Sequence, residues 1–121
     1  MAEYAKRISA YCKFGVREMK NEQLVPALSS SRAFKAALCV EGAQRSSEEF
    51  AALLEELPSR GISAVIFVIG DSDGLSEEVK KACDLRLSFS KMTFPHQLMR
   101  VILAEQIYRA FTILHHGKYH K

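Results

Sequence analysis

Within the stretch LSFSKMTFPHQLMR, residues 87–100, the junction at 90–96 gathers two hydroxyls (Ser90, Thr93), an ammonium (Lys91) and an imidazole (His96). The stretch begins as a short alternating strand and ends as the first turn of an apolar helix, so these groups sit where a strand hands over to a helix. His96 is suited there to satisfying helix N-terminal or loop groups. A second cluster closes the sequence. Tyr119, His120 and Lys121 combine a stacking ring, a base that titrates near neutral pH and a fixed positive charge. The same three residues also suit a frayed terminus. His116 and His120 are four apart, but Gly117 interrupts any helix that would align them, and no Cys, Asp or Glu cluster completes a shell. No metal site is expected.

IGDSDG, residues 69–74, puts Gly70 where a strand ends, and glycine allows φ > 0 or close backbone approach to a ligand. The spacing by itself favours an ordinary β-to-α turn. It fits neither G-x-G-x-x-G nor G-x-x-x-x-G-K-[ST], so a dinucleotide site or a P-loop has no support. There is no G-x-S-x-G, and nothing pairs a serine or cysteine with a base.

The elements that must position these groups follow from periodicity. Residues 2–13 read as an amphipathic helix with Tyr4, Ile8 and Tyr11 at helical spacing. Residues 14–32 are ambiguous: FGVREM is compatible with a strand and VPALSSSR with a turn region. FKAALCVEG (34–42) and SAVIFVIGD (63–71) read as strands buried on both faces. Between them Ser46 and Glu49 form a capping-box pattern ahead of an apolar stripe that stops at Pro58 and Gly61. Ser76 caps a short helix, SEEVKKACD, and LRLSFS (85–90) is a third strand. The last helix runs from about Pro95 to Leu114. Alternating strands and helices predict an α/β domain, a mainly parallel sheet flanked by helices, in one unit spanning residues 1–121. Ligands of such sheets bind beyond the carboxyl ends of the strands, where Leu38–Gly42, Gly70–Gly74 and Ser88–Phe94 would converge.

The last helix is apolar on more than one face: Leu103, Ile107, Phe111 and Leu114 on one, with Val101, Ala104 and Tyr108 beside them. In a chain of 121 residues such a helix is expected to be shared with a second copy, giving a homodimer. Glu105 within it needs a cation, and Arg109 at i+4 is in reach, as a structural pair. Three cysteines without C-x-x-C spacing, and an N-terminus with charges in every turn, point to a reducing, cytoplasmic setting with no signal peptide or membrane span. The net charge is +3, but Asp84–Lys121 carries six Lys/Arg against two acids, or +4. A solvated face and an anionic partner such as RNA explain that segment equally well.

LSFSKMTFPHQLMRVILAEQIYRAF, followed by the terminal YHK, resembles the ribosomal RNA large subunit methyltransferase H (RlmH) family of the SPOUT methyltransferases. The resemblance is continuous from about Phe34 to Lys121, and AEYAKRISAYCKF near the start shares it. It implies a C-terminal trefoil knot around S-adenosylmethionine, a homodimer, and methylation of N3 of a pseudouridine in 23S rRNA on the assembled 70S ribosome. Carried over by position, it assigns Leu38, Gly70, Phe89, Ser90, Lys91, Met92, Thr93 and Phe94 to the cofactor. Tyr119, His120 and Lys121 fall on the tail associated with substrate binding and catalysis, His120 as a base, Tyr119 for stacking, and Lys121 or Lys118 for phosphate. Against the family pattern, a first strand with a VGK-like turn and a longer segment between Phe14 and Leu24 are missing, so an N-terminally shortened sheet is expected. Asp71 stands in place of the usual second glycine. The competing readings are a shortened, non-catalytic homologue acting as a dimeric RNA- or cofactor-binding protein, and a flavodoxin-like module, which lacks a phosphate loop.

Overall fold

The computed structural model describes residues 2–70 and 74–116. Within them the chain runs α1 (Ala2–Ile8), α2 (Asn21–Ser29), β1 (Phe34–Gln44), α3 (Ser47–Ser59), β2 (Val65–Ile69), α4 (Glu77–Lys81), β3 (Leu85–Ser88) and α5 (His96–Leu114). The three strands form one parallel sheet in the order β2-β1-β3. The expected architecture, a parallel sheet with flanking helices, is the one observed.

Apolar runs put β1 in the middle. Ala36 and Ala37 point to opposite faces and are both fully buried. On one face Ile8, Phe50, Ala51, Leu87, Leu103, Ala104, Ile107 and Ala110 join α1, α3 and α5 to the sheet. On the other, Leu28, Ala37, Val68, Leu75 and Val79 join α2 and α4 to it. The Ser46 capping box forms as its pattern predicts: Ser46 Oγ accepts from Glu49 N–H at 3.0 Å, and Glu49 Oε1 accepts from Ser46 N–H at 2.8 Å.

Residues 14–32 depart from expectation. FGVREM is not a strand, and VPALSSSR, which reads as a turn, lies mostly within α2 with Pro26 inside it. Packing decides this segment: Leu28 is buried and Leu24 and Val25 pack beside it, which outweighs the donor that proline lacks. Helix α1 stops earlier than residue 13, because Ala10 and Tyr11 N–H turn to the carbonyls of Arg7 and Ile8, three residues back, tightening the last turn.

Strand β1 is the irregular element. Its pairing with β3 runs Ala36↔Leu85, Ala37↔Arg86, Leu38↔Leu87, then resumes at Ala43↔Leu87 and Gln44↔Ser88. Residues 39–42 therefore leave the ladder and return. Gly42 permits the return: a Cβ there would lie 2.7 Å from the backbone of Arg86 and Leu87.

Candidate functional site

The carboxyl ends of all three strands open onto a cavity of about 370 Å³. Leu38, Cys39, Val40 and Glu41 come from β1, Ile69 and Gly70 from the end of β2, and Leu87 and Ser88 from β3. Phe89, Ser90, Met92, Thr93, Phe94 and Pro95 come from the β3–α5 junction, and His96 and Met99 from α5. Gly74, Leu75 and Lys80 complete the lining from the α4 side. The volume lies within the usual range of small-molecule sites, about 300–1,000 Å³.

Of the eight positions assigned to the cofactor by resemblance, Leu38, Gly70, Phe89, Ser90, Met92, Thr93 and Phe94 line this one cavity. Lys91 is exposed and is not part of the lining. Tyr119, His120 and Lys121 lie outside the described residues.

Local hydrogen bonding holds the junction open. Ser88 Oγ donates to the Ser90 carbonyl at 2.9 Å, and Met92 N–H donates to Ser90 Oγ at 3.0 Å. These turns bend residues 89–92 along the cavity before α5 begins. Pro95 is the N-cap of α5, one position before the helix it was expected to enter, and no side chain caps it. His96 Nε2 instead meets Gln97 Nε2 at 3.2 Å. Phe89 is braced from behind: its ring meets Phe50 edge-on at 6.0 Å between centroids. Met92, 72% exposed, stands at the mouth.

Gly70 has a different reason for being glycine than close approach to a ligand. A Cβ there would lie 2.5 Å from the Gly74 carbonyl carbon and 2.7 Å from Leu75 N. The backbone of Gly74 and Leu75 excludes a side chain there, and Gly70→Val would displace that backbone before it filled any ligand space.

Electrostatics come from residues that motif reasoning passed over. Lys80 Nζ donates to Glu41 Oε1 at the cavity edge. The hydrogen bond from Lys80 holds the Glu41 carboxyl below its ordinary range, and the same bond pushes the Lys80 ammonium up. Burial, with Glu41 nearby, raises the Cys39 thiol, which is therefore a poor nucleophile. The signals were present in sequence, a carboxylate just past an apolar run and a lysine on the next short helix, but only the fold pairs them.

The lining thus offers apolar faces for a flat ring, hydroxyls and backbone for its polar edges, and both charges for a zwitterion. A nucleoside joined to an amino acid has those three requirements, and these residues fit it. Among the described residues no group of three His, Cys, Asp or Glu gathers in a way that could hold a metal ion. The three cysteines are free, and no described helix is long and apolar enough to cross a membrane.

The family described as "Predicted SPOUT methyltransferase" matches residues 1–120. This chain belongs to the SPOUT methyltransferase family. Among curated proteins, ribosomal RNA large subunit methyltransferase H of Limosilactobacillus reuteri is 44% identical over 140 aligned positions, covering 100% of this chain and 88% of the relative. The protein of the same name from Bacillus thuringiensis is 47% identical over 140 positions, with the same coverage. That from Ligilactobacillus salivarius is 43% identical over 141, again covering 100% and 88%. The 140 aligned positions exceed the 121 residues here, so the relatives carry residues inside the match that have no counterpart in this chain.

Proposed function

We propose that this protein transfers a methyl group from S-adenosylmethionine to N3 of a pseudouridine in 23S rRNA of the assembled ribosome, as a cytoplasmic homodimer. The observation that carries the reading is the convergence of three separated segments, at Leu38, at Gly70 and within 89–94, on one cavity beside the strands. The relatives named for ribosomal RNA methylation supply the substrate class. The trefoil knot belongs to the same proposal. It is supported by family membership and by the excursion of β1, whose return presses Gly42 against the β3 backbone.

When bound, S-adenosylmethionine supplies an electrophilic methyl group on a sulfonium. The protein's work is positioning and exclusion of water. Leu38, Leu87 and Phe89 would give apolar contact to a ring, and Ser90 and Thr93 would offer hydroxyls to its polar edge. Glu41 and Lys80 set the charge at the edge of the cavity. Tyr119, His120 and Lys121 are proposed to serve the RNA: a base to stack on the tyrosine, the imide N3 proton to pass to His120, and a phosphate to meet Lys121.

The test is tritiated methyl transfer from S-adenosylmethionine to 70S particles of a strain lacking the modification. Incorporation is expected. Removal of residues 119–121 should abolish it with cofactor affinity unchanged, and His120→Ala should lower the rate by roughly a hundredfold. The residues present inside the relatives and lacking here favour a second reading, a non-catalytic dimeric binder. Cofactor binding without any incorporation by the intact chain would select it.

A further inference from the structure

The amino ends of β1 and β3, with α3 and Arg45 just past the end of β1, line a second feature that the methyl-transfer site does not use. A groove of about 610 Å³ is lined by Arg32, Lys35, Arg45 and Arg60, with Glu56 and Asp84 as its acidic residues. Four cations face two carboxylates, and both carboxylates are engaged. Asp84 Oδ2 accepts the Lys35 backbone N–H at 2.9 Å, and Glu56 holds Arg60 at 3.9 Å. Among the described residues no carboxylate lies within ion-pair distance of Arg32, Arg45 or the Lys35 ammonium. Arg32 and Arg45 are exposed, and Lys35 is half-buried. Four cations against two carboxylates leave the groove net positive, and three of those cations have no described carboxylate within ion-pair distance, which makes an anion-binding surface; guanidinium groups suit phosphate in particular.

The position of the groove narrows the ligand. Phe34, at the start of β1, lines the groove, and Leu38 lines the cavity at the other end of the same run. Four residues of strand separate them, about 13 Å at 3.3 Å per residue. At about 3.4 Å per nucleotide of a stacked strand, that is roughly four nucleotides. We propose that this groove binds the phosphodiester backbone of the RNA a few nucleotides away from the one that enters the cavity. The proposal rests on the methyl-transfer reading for its choice of RNA. A free nucleotide would engage the groove alone, whereas a strand passing from one end of the sheet to the other uses both the groove and the cavity.

Phosphate contacts fix register without reading sequence, and they are recognised by their salt dependence. The experiment is fluorescence anisotropy with a labelled 12-nucleotide single-stranded RNA of mixed sequence, in 50–300 mM KCl. Wild type is compared with Arg32→Gln/Lys35→Gln/Arg45→Gln and with the control Lys13→Gln/Arg17→Gln/Lys20→Gln, which removes the same charge elsewhere. The groove variant should lose about 0.7 from the slope of log K against log salt per contact, about 2 in all. Its affinity at 0.1 M salt should fall at least tenfold, with the control variant close to wild type. Glu56→Gln frees Arg60 and should tighten binding, which keeps the test decisive if the triple variant folds poorly. Equal losses in both triple variants would mean net charge alone, and unchanged binding in the groove variant or none by wild type would equally overturn the proposal. Cofactor affinity and methyl incorporation, measured on the same samples, report separately on the methyl-transfer reading: a groove effect without incorporation sinks that reading and keeps this one.

Discussion

Lys80 of α4 and Glu41 of β1, 39 residues apart in sequence, are hydrogen-bonded side chain to side chain at the edge of the cavity. The lysine is 16% exposed and the glutamate 52%. A pair this open contributes on the order of 0–1 kcal/mol to stability. Its importance is geometric, since it ties the excursion of β1 to the helix beside it.

The pH dependence of that pair has a definite sign. Glu41 is lowered from an ordinary 4.5, so its contribution is full above that value and is lost as pH falls through its folded pKa. Lys80 is raised from an ordinary 10.5, so its contribution is full below that value and is lost as pH rises through its folded pKa. Between about pH 5 and 10 the pair should contribute constantly. Urea midpoints of Glu41→Gln and wild type should therefore differ by a constant small amount across that range and converge outside it, in acid as Glu41 protonates and in strong alkali as Lys80 loses its proton. A gap that changes between pH 6 and 8 would show that another group governs the site.

Gly70 and Gly42 make a paired prediction with an internal control. Each sits where a Cβ would meet backbone, at 2.5 Å and 2.7 Å respectively, with no flexible side chain to give way. Gly70→Ala and Gly42→Ala should each cost about 1–3 kcal/mol. Gly15 has nothing within 4 Å of its added Cβ, so Gly15→Ala should be neutral or stabilising by up to about 1 kcal/mol. Thermal melts of the three variants check this. A Gly70→Ala protein as stable as wild type would mean that Gly74 and Leu75 stand farther from Gly70 than this.

These glycines also mark what could be read from the chain and what could not. Continuous apolar runs gave the parallel strands, and Ser46 with Glu49 gave the start of α3, because both signals are local. Helix α2 was not legible, since Pro26 and a serine run argue for a turn and only burial of Leu28 overrides them. The cavity lining at Leu38, Gly70, 89–90 and 92–94 was reachable through resemblance, because junction residues carry a long distinctive string. Glu41 and Lys80 were not, because their pairing depends on residues 39–42 leaving the β3 ladder.

Ser90 tests whether the junction is held by its own turn. Its hydroxyl accepts Met92 N–H at 3.0 Å, and Ser90→Ala removes that acceptor. A hydrogen bond of this kind is worth about 1 kcal/mol net to stability, so the melting temperature should fall by a few degrees, and S-adenosylmethionine affinity should fall as well where the turn positions the cavity wall. Calorimetry on the variant decides it, and equal affinity would exclude the turn as a positioning device.

Phe50 links stability to the site. It is 2% exposed, with Phe67 at 5.8 Å and Phe89 at 6.0 Å between ring centroids. Phe50→Ala should cost about 3–5 kcal/mol, a large part of a small domain's stability. Phe50→Leu conserves much of the volume and should cost less than about 1.5 kcal/mol. It would still remove the edge-on ring behind Phe89. Cofactor affinity that drops in Phe50→Leu with stability nearly intact would mark Phe50 as a positioning residue for the cavity wall, and retained affinity would confine it to the core.

Dimerisation through α5 is the remaining expectation, and the structure changes which residues could carry it. Leu103 and Ile107 are each 7% exposed and pack within their own subunit's core, so they are not available to a partner as the sequence suggested. Phe111 stacks on Tyr11, with ring centroids 5.1 Å apart and planes 3° from parallel. Leu98, 47% exposed, and the half-buried Ile102 at i+4 belong to neither core cluster. Glu105 and Arg109, whose Nε–Oε1 distance is 2.8 Å, continue the same stripe at helical spacing. A dimer would bury that stripe around a charge pair already neutralised within each subunit. Leu98→Glu/Ile102→Glu should then give a monomer in light scattering at micromolar concentration, with wild type at twice the mass. The melting temperature of wild type alone should rise with protein concentration, as mass action requires of an associating protein. A wild type that scatters as a monomer and melts independently of concentration would leave α5 as a helix of the monomer surface.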